Sequence, residues 1–368
     1  MNPRIGIFTR PIDQKTSGSG SHLREIVQTM LELAPSIDLV FCHYEPNDEF
    51  EGYRRAEELI LPRNPLAASK KLRSAGLDIV HYNPLTIYSP LFVGDGTKRV
   101  ATIHGAAPVF LPEQYSLVKT LHERSVVPAF ARRMDHLFAV SETTKRLVVE
   151  DFGVPAERVN VIYNAVDNGF KPLSQTALEE SRFAGIKPFV FHLSKFSERK
   201  NPWTILRAFA ELARGDVSLR LVLGGTGWNN SDVLAFLDAR ELRDRAVFPG
   251  FLSKDEVVEL MNLADVFVFP SYYEGFGMPN LEAMACGCPV VTSRAFAIPE
   301  IVGDAAVTLS DPTDVQALAE AVDNIRSDTS LREVLIERGF RRARAFSWEH
   351  SVETILDAYA NLLGEDLR

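Results

Sequence analysis

Short apolar runs that alternate with longer amphipathic stretches constrain the fold of this chain more than any other feature. In the first part of the chain, runs typical of strands lie at residues 5–8, 39–44, 79–82, 99–104 and 136–140. Helical patterns separate them, including residues 23–33 and a long stretch over about 113–133. Because parallel strands need crossover connections, which are usually helices, this alternation predicts parallel sheets with helices on both faces.

The same alternation starts again after a polar, turn-rich segment at about 165–187. A second series of strand patterns lies at residues 189–194, 219–225, 246–250, 265–271 and 289–293, with a helix predicted at 202–213. The length of 368 residues suits two α/β domains. We therefore predict an α/β protein in which two Rossmann-like, doubly wound parallel-sheet domains face a central cleft. The predicted bounds are 1–170 and 171–349, followed by a C-terminal helix at 350–368.

Composition and charge exclude several classes of protein. Hydrophobic residues make up 46% and charged residues 24%, which rules out a disordered or collagen-like chain. The formal net charge is −9, and residues 171–368 contribute most of it, with 29 acidic against 21 basic residues. This balance excludes a protein that coats nucleic acid. An anion bound by the second half must therefore be held by a few well-placed cations.

The three cysteines indicate a reducing compartment. Cys42, Cys286 and Cys288 are odd in number, and their C-x-C lacks a second pair, so we interpret them as reduced small apolar residues. The N-terminal residues are typical of a first strand rather than of a signal peptide, and no apolar run approaches the ~18 residues of a membrane span. We expect a cytoplasmic protein that can still touch the inner face of the membrane.

The most informative motif is residues 270–291, PSYYEGFGMPNLEAMACGCPVV. It places Glu274 in a loop after a buried strand and Glu282 in the helix that follows. Gly275 and Gly277 let backbone N–H groups approach a ligand, and a helix N-terminus favours a phosphate. Carboxylates suit pairs of hydroxyl groups because each accepts several hydrogen bonds. The motif thus predicts a sugar-nucleotide site; the alternative is a helix cap with two solvated glutamates.

A second strand-end loop, HLSKFSERKNP at 192–202, carries a cluster of cations. Lys195, Arg199 and Lys200 precede a helix that begins near Pro202. Such cations can neutralise a pyrophosphate, including the charge that develops on a departing nucleotide diphosphate. A solvated, charged loop is the alternative interpretation.

Two features of the first half point to the same kind of site. Gly18 and Gly20, in TSGSGSHLREI at 16–26, suit a tight loop that closes over a ligand, although the segment matches neither a dinucleotide fingerprint nor a P-loop. His104 ends a predicted strand and precedes Gly105, which is a suitable position for touching a ligand. A structural histidine is the alternative.

Taken together, these motifs make the chain resemble the retaining glycosyltransferases of family 4, which have the two-domain GT-B fold. The E-x7-E segment from Glu274 to Glu282 is the most specific element of the resemblance, and the glycine loop and His104 support it. Further matching segments are residues 140–145, 161–167, 221–227, 247–253 and 298–306. In that family the closing helix crosses back to the first domain, and residues 350–363 would do so here.

The resemblance also implies roles for individual residues on the donor side. Glu274 would touch the hydroxyls of the donor sugar, and Glu282 the ribose diol. The distal phosphate would meet the backbone of four consecutive residues, Gly275, Phe276, Gly277 and Met278. Gly250 would lie against the base.

The resemblance also concerns catalysis. His104 would lie near the C6 hydroxyl of the donor sugar and the reacting face, and Lys200 would contact the pyrophosphate. Lys195 stands where the family usually has an arginine, and Ser194 replaces a glycine. We therefore expect two point charges on the phosphates, without the bidentate geometry of arginine.

The resemblance implies hexosyl transfer with retention of configuration. The chain has no D-x-D motif to hold a metal against the diphosphate, so we expect the reaction to be metal-independent. No cofactor is expected. The first choice of donor is GDP-mannose, which would make the protein a mannosyltransferase; UDP-glucose and UDP-N-acetylhexosamine remain alternatives. An epimerase or a phosphorylase would be a different enzyme class on the same architecture. A non-catalytic sugar-nucleotide binding protein is the alternative outside enzymology.

The acceptor is marked only by positive charge. Residues 54–73 contain six Lys/Arg against two Glu, and Arg124, Arg132 and Arg133 add to the first domain. This surface would suit an anionic membrane or a saccharide linked to a lipid pyrophosphate; a solvated face is the alternative. From sequence alone we also expect Glu274→Ala to cut turnover while leaving the fold intact, because loop residues carry little packing.

Overall fold

The structure of the protein is a computed structural model that describes residues 2–9, 18–45, 56–85, 89 and 93–367. Its strands are β1 (Arg4–Phe8), β2 (Asp38–His43), β3 (Glu57–Ile60), β4 (Ile79–Tyr82), β5 (Lys98–Ile103), β6 (His136–Ala139), β7 (Val159–Val161), β8 (Phe189–Leu193), β9 (Arg220–Gly224), β10 (Ala246–Gly250), β11 (Val266–Phe269), β12 (Val290–Ser293) and β13 (Val307–Leu309). All the strand patterns predicted from the sequence are confirmed.

Helices separate almost all of these strands. They are α1 (Gly18–Leu33), α2 (Pro65–Ser74), α3 (Ala107–Phe110), α4 (Leu117–Leu121), α5 (Val127–Ala131), α6 (Glu142–Glu150), α7 (Gln175–Glu180), α8 (Pro202–Gly215), α9 (Ser231–Asp238), α10 (Lys254–Leu263), α11 (Met278–Ala285), α12 (Ile298–Val302), α13 (Val315–Ser327), α14 (Thr329–Ala343) and α15 (Trp348–Leu363).

The chain divides into two compact units. The N-terminal unit comprises Met1–Asn164 and Ser347–Arg368, and its parallel sheet has the order β3-β2-β1-β4-β5-β6-β7. The C-terminal unit, Ala165–Phe346, has a parallel sheet of order β10-β9-β8-β11-β12-β13. The predicted α/β class with two Rossmann-like parallel sheets is confirmed. The units join after Asn164 and Phe346, whereas the sequence suggested joins at 170 and 349.

Each sheet reverses its strand order at one point. In the N-terminal unit the chain winds outward from β1 in one direction and from β4 in the other, and in the C-terminal unit it does so from β8 and β11. Loops that leave the carboxyl ends of such neighbouring strands diverge and form a crevice in which ligands bind. The loops after β4, β8 and β11 are therefore the first places to look for a site.

The central strands are apolar along their whole length because helices cover both faces of each sheet. Strand β11, VFVF, is buried at every position, and so are the first four residues of β8. The rings of Phe191 and Phe267 meet edge to face, with centroids 5.7 Å apart. This packing gives the neighbouring strand-end loops a rigid base.

The long helical stretch predicted over about 113–133 is present at residues 117–131. It consists of α4, a π-helical turn at His122–Val126 and α5, which follow one another directly. Pro128 has no N–H to continue the α-helical hydrogen-bond pattern, and its ring crowds the preceding turn, which favours the wider π-helical turn at this point.

The last helix, α15, belongs to the N-terminal unit. The hydroxyl of Tyr359 lies 2.6 Å from Nδ1 of His81 on β4, and the hydroxyl of Ser351 donates to the carbonyl of Tyr163 at 2.6 Å. These buried contacts fix the helix against the sheet and its neighbour α1. Within the ranges that the structure describes, no helix combines the length and apolar character needed to cross a bilayer.

Candidate active site

The loop between β11 and α11 carries a buried acidic residue, Glu274. The loop enters α11 through Gly277, which has φ +96° at the N-cap, and no side chain caps this helix end. A Cβ at Gly277 would lie 3.1 Å from the Asn280 amide nitrogen and in a strained backbone conformation. The glycine therefore holds the backbone close to Glu274 and leaves the helix N-terminus open.

Glu274 is buried and pairs with two cations. Its Oε1 accepts a hydrogen bond from Nζ of Lys200 at 2.6 Å and from Nη1 of Arg199 at 2.8 Å. Burial raises the pKa of Glu274, but the two cations outweigh it and hold this pKa below its usual range. Its Oε2 has no hydrogen-bond partner among the described residues, so it can still accept from a ligand hydroxyl.

Arg199 and Lys200 are positioned by a short 3₁₀ turn, Glu198–Lys200, after β8. The turn ends at Asn201, whose side-chain amide donates to the carbonyls of Pro270 and Pro312 at 3.1 and 2.5 Å. Nζ of Lys200 lies 4.4 Å from the ring centroid of Phe269, and burial lowers the pKa of Lys200 while Glu274 opposes that change. The loops after β8 and β11 are thus joined into one cationic site.

Lys195, the other lysine assigned to this site, is not part of the ion-pair cluster. It is exposed, and its side chain has no ion-pair partner in the part of the chain that the structure describes. Arg199 belongs to the predicted cation cluster but was not among the individual residues predicted to contact the donor. The geometry instead joins Arg199 and Lys200 around Glu274, because the 3₁₀ turn brings consecutive residues back toward the neighbouring loop.

Glu282 lies in the second turn of α11 and is half-buried. Burial, together with Asp167, raises the pKa of Glu282 to about 7, and Lys254 opposes the rise. Nζ of Lys254 lies 2.5 Å from Oδ1 of Asp167, which also accepts from the backbone N–H of Gly169 at 2.6 Å. Asp167 lies in the segment 161–167 that matches the family, but its proximity to Glu282 was not predicted, since the two residues are far apart in sequence.

Three other residues predicted to contact the donor differ in which of their atoms are accessible to a ligand. Phe276 is buried against Phe346 with ring centroids 5.7 Å apart, so only its backbone can face a ligand. Met278 is half-buried at the start of α11. Gly250 ends β10 with φ +75°, and its carbonyl accepts from the N–H of Gly225 at 2.8 Å.

Gly18 and Gly20, which were expected in a loop after β1, lie in a helix. Helix α1 begins at Gly18, so Gly18 and Gly20 both belong to its first turn, and residues 16–17 lie outside the described residues. The first turn of a helix contributes N–H groups that have no intrahelical partner, so a glycine costs less there than in the middle of the helix.

His104 in the N-terminal unit follows β5 and belongs to a polar cluster. Its Nε2 lies 2.7 Å from Oδ1 of Asn83, which follows the neighbouring strand β4. The ring of His22, from α1, meets the His104 ring edge-on at 4.8 Å and lies 5.6 Å from Trp348 of α15. Sequence reasoning missed these partners, because only folding brings them together.

His104 and His22 are both neutral near pH 7. Burial lowers the pKa of His104 well below its usual value, with smaller contributions from His22 and His81. Burial also lowers the pKa of His22 to about 4, although its Nδ1 is hydrogen-bonded to Oδ1 of Asn164 at 2.6 Å. Neither histidine can therefore serve as a cation for a phosphate; each can take part in neutral hydrogen bonds.

No group of three or more His, Cys, Asp or Glu side chains with a metal-binding arrangement occurs among residues 2–9, 18–45, 56–85, 89 and 93–367. The three cysteines are free and buried, as expected from the sequence. Burial raises the pKa of each thiol to about 12, which makes them unreactive packing residues.

Comparison with known proteins identifies the family. The model described as Glycosyltransferase Family 4 matches residues 16–170, and the model described as Glycosyl transferases group 1 matches residues 174–342. O-antigen chain mannosyltransferase B of Escherichia coli is 30% identical over 317 residues, which cover 84% of this chain and 79% of that protein. The chain belongs to glycosyltransferase family 4. It is therefore an enzyme, a hexosyltransferase.

Other relatives of this family 4 glycosyltransferase agree. The serotype-specific mannosyltransferase WbdA of Escherichia coli is 28% identical over 279 residues, covering 72% of this chain but only 34% of WbdA. The crystal structure of Anabaena HepE in complex with UDP and glucose has a TM-score of 0.77 at 20% identity, covering 97% of this chain and 99% of HepE. At that identity the likeness concerns the fold, and the predicted GT-B architecture is confirmed.

Proposed function

We propose that the protein is a retaining mannosyltransferase that transfers mannose from GDP-mannose to a glycan or a lipid-linked saccharide during polysaccharide assembly. The observation that carries the proposal is Glu274, a buried carboxylate that holds two cations on Oε1, while its Oε2 has no hydrogen-bond partner among the residues that the structure describes. Similarity to an O-antigen mannosyltransferase, extending over 84% of the chain, supports mannose as the sugar. The nucleotide sugar is a substrate, and neither a cofactor nor a metal takes part.

In this proposal the C-terminal unit holds the donor. Lys200 and Arg199 carry the charge that stabilises a departing diphosphate, and the open N-terminus of α11 adds backbone N–H groups. Oε2 of Glu274 accepts from a hydroxyl of the transferred sugar. Glu282 accepts from the ribose hydroxyls, and the backbone at Gly250 faces the base.

The proposed reaction keeps the anomeric configuration by attack on the front face. The bond between C1 and the phosphate oxygen breaks first, its electron pair stays on the phosphate, and an oxocarbenium-like sugar forms. The acceptor oxygen then bonds to C1 from the same face, while its proton passes to the leaving phosphate oxygen. His104 contributes a neutral hydrogen bond to a sugar hydroxyl.

A donor panel tests the proposal directly. Purified protein is incubated with GDP-mannose, UDP-glucose or UDP-N-acetylglucosamine and a lipid-linked saccharide acceptor, with and without EDTA. We expect transfer from GDP-mannose, unchanged by EDTA, and an NMR spectrum of the product that shows retention. Inversion, loss of activity in EDTA or binding without turnover would each refute the corresponding part of the proposal.

A UDP-sugar is the second candidate donor. The solved structure of HepE with UDP and glucose has the same fold, and base recognition depends on local contacts rather than on the fold. Transfer from UDP-glucose alone in the same panel would establish this alternative. A non-catalytic sugar-nucleotide binding protein would bind one donor and turn over none of them.

We also propose that the N-terminal unit touches an anionic membrane surface. On α4, Leu117 and Val118 are 73% and 80% exposed, and Lys119 lies beside them. Helix α2 carries Lys71 and Arg73 in its last turn, within the basic stretch 54–73, of which residues 54–55 lie outside the described residues. Apolar side chains next to cations suit the headgroup region of anionic lipid.

Vesicle flotation tests this contact. We expect the protein to float with phosphatidylglycerol vesicles but not with phosphatidylcholine vesicles, and a Leu117→Ser/Val118→Ser variant to lose most of that binding. Val217→Ser is a matched control, because Val217 is 84% exposed but lies in the C-terminal unit. If the wild type, the Leu117→Ser/Val118→Ser variant and Val217→Ser float equally well, the proposed contact through α4 is refuted.

A further inference from the structure

Asn83 and His104 lie side by side at the carboxyl ends of β4 and β5. An amide oxygen can only accept a hydrogen bond, so the 2.7 Å contact with Oδ1 requires a proton on Nε2 of His104. We infer that Asn83 is a positioning residue that holds His104 in this tautomer, so that Nδ1 accepts a hydrogen bond from a hydroxyl. The assignment of this hydroxyl to a sugar substrate rests on the proposed function. The assignment of the tautomer is independent of it.

The surroundings of His104 keep the ring neutral, which the acceptor role requires. Burial is the main cause of its lowered pKa, and charge on His22 from α1 or His81 from β4 would lower it further. Neither of these histidines is charged near pH 7, since burial lowers the pKa of His22 to about 4 and that of His81 to about 3. An imidazolium would donate from both nitrogens and could accept nothing.

The Asn83 side chain costs stability where it stands. It is buried, with 2% exposed, and its Nδ2 has no hydrogen-bond partner within the described ranges. An unsatisfied buried donor destabilises a fold, and such groups in native proteins call for a functional explanation. The contact of Oδ1 with His104 is the side-chain hydrogen bond that Asn83 makes, so the residue serves His104 rather than the general packing.

The chemical consequence is a specificity for the group that faces His104. With Nε2 occupied by Asn83, only Nδ1 is available, and it carries a lone pair. A hydroxyl can donate to it, whereas a phosphate oxygen cannot. His104 is thus suited to sugar hydroxyls rather than to phosphates.

The tautomer is measured without any assay of activity. Long-range ¹H–¹⁵N correlation NMR of histidine-labelled protein distinguishes Nε2–H from Nδ1–H, and His104→Gln assigns the signal. We expect the Nε2–H form alone in the wild type from pH 6 to pH 8, and a mixture of both tautomers in Asn83→Ala. An Nδ1–H ring in the wild type, or an unchanged ring in Asn83→Ala, would overturn the inference.

The acceptor role is tested by a pH profile of kcat/KM. In Asn83→Asp a carboxylate faces Nε2, raises the pKa of His104 and makes the ring an imidazolium as the pH falls. We expect kcat/KM to fall about tenfold per pH unit below that pKa, an acid limb that the wild type lacks. A variant whose His104 is protonated by NMR but whose profile matches the wild type would refute the acceptor role.

Asn160→Asp is the matched control. Asn160 lies close enough to His136 in the same unit to affect the pKa of that ring, so the substitution places the same new charge beside a histidine outside the site. It should keep the wild-type profile. If NMR finds the Nε2–H tautomer while no donor supports transfer, the proposed function fails and the positioning role of Asn83 stands.

Discussion

Replacing Glu274 by alanine should destabilise the C-terminal unit strongly, contrary to the expectation from sequence. The Glu274 side chain is 11% exposed, and its partners Lys200 and Arg199 are 13% and 25% exposed. Removing one member of a buried ionic cluster leaves the others uncompensated, which costs about 3–5 kcal/mol. Since 1 kcal/mol corresponds to about 2–4 °C in a domain of this size, Tm should fall by about 6–20 °C.

Thermal and urea unfolding followed by tryptophan fluorescence measure this loss. Two of the three tryptophans, Trp203 and Trp228, lie in the C-terminal unit, so the signal reports mainly on that unit. Glu211→Ala is the control: Glu211 forms an exposed pair with Arg214, and such pairs contribute at most about 1 kcal/mol. If the Tm of Glu274→Ala is as close to the wild-type value as the Tm of Glu211→Ala is, the claim that buried ion pairs of Glu274 stabilise this unit is refuted.

The pH dependence supplies a second check on Glu274. Its pKa is lower in the folded protein than the value of about 4.3 in an unfolded chain. Its stabilising effect is therefore complete above the unfolded pKa and is lost as the pH falls through the folded pKa. The difference in unfolding free energy between wild type and Glu274→Ala should shrink below about pH 4 and stay constant from pH 6 to 8; a difference independent of pH would refute the ion pairs.

Three further substitutions test other parts of the structure. The pKa of Glu282 is raised to about 7 in the folded protein, so ionisation of this side chain destabilises the fold as the pH rises from about 4.3 to 7. Glu282→Gln should therefore be more stable than wild type in urea at pH 8. It should nevertheless bind nucleotide at least about tenfold more weakly, as measured by calorimetry. Tyr359→Phe removes the hydrogen-bond partner of Nδ1 of buried His81 and should lower the unfolding free energy by about 1–3 kcal/mol in urea titrations. Gly225→Ala would place a Cβ 2.2 Å from the Ser194 carbonyl oxygen at φ +103°, so its melting temperature should fall sharply; an unchanged value would show that the two loops do not touch.

The sequence predicted the central strands because burial on both faces leaves a continuous apolar run. It did not predict β3, β7 or β13, which lie at sheet edges. Strand β3 reads EELI, with none of its residues buried, and β7 and β13 have three residues each. An edge strand pairs on one side only and can be short and polar, so apolar periodicity carries little information about it.

The candidate site was predictable where one segment contains the whole pattern. Glu274, Gly277 and Glu282 are close in sequence, and the loop and helix between them follow from glycine and proline chemistry. The partners of these residues were not predictable, because Arg199 and Lys200 reach Glu274 through a turn whose geometry depends on Asn201. Periodicity does not encode such contacts between loops.

The cluster around His104 was even less accessible to sequence reasoning. Its members come from α1, β4, β5 and α15, and Trp348 is 244 positions away from His104 in the chain. The strand order β1-β4-β5 places the ends of these elements side by side. A histidine at a strand end indicates a ligand-binding position. Its tautomer and charge, however, depend on neighbouring residues that are distant in sequence and are brought together only by folding.

Ser194 and Lys195 stand where the resemblance to family 4 leads us to expect a glycine and an arginine. The Nδ1 of buried His192 lies 2.8 Å from the Val268 carbonyl and therefore carries the proton, which leaves Nε2 to accept from the Ser194 hydroxyl at 2.8 Å. Ser194 thus satisfies a buried ring nitrogen, which a glycine could not do. Lys195 is exposed, and Arg199 brings a guanidinium to Glu274 from four residues further along. The loss of an arginine at one position therefore does not deprive the loop of a planar cation, because the 3₁₀ turn provides one.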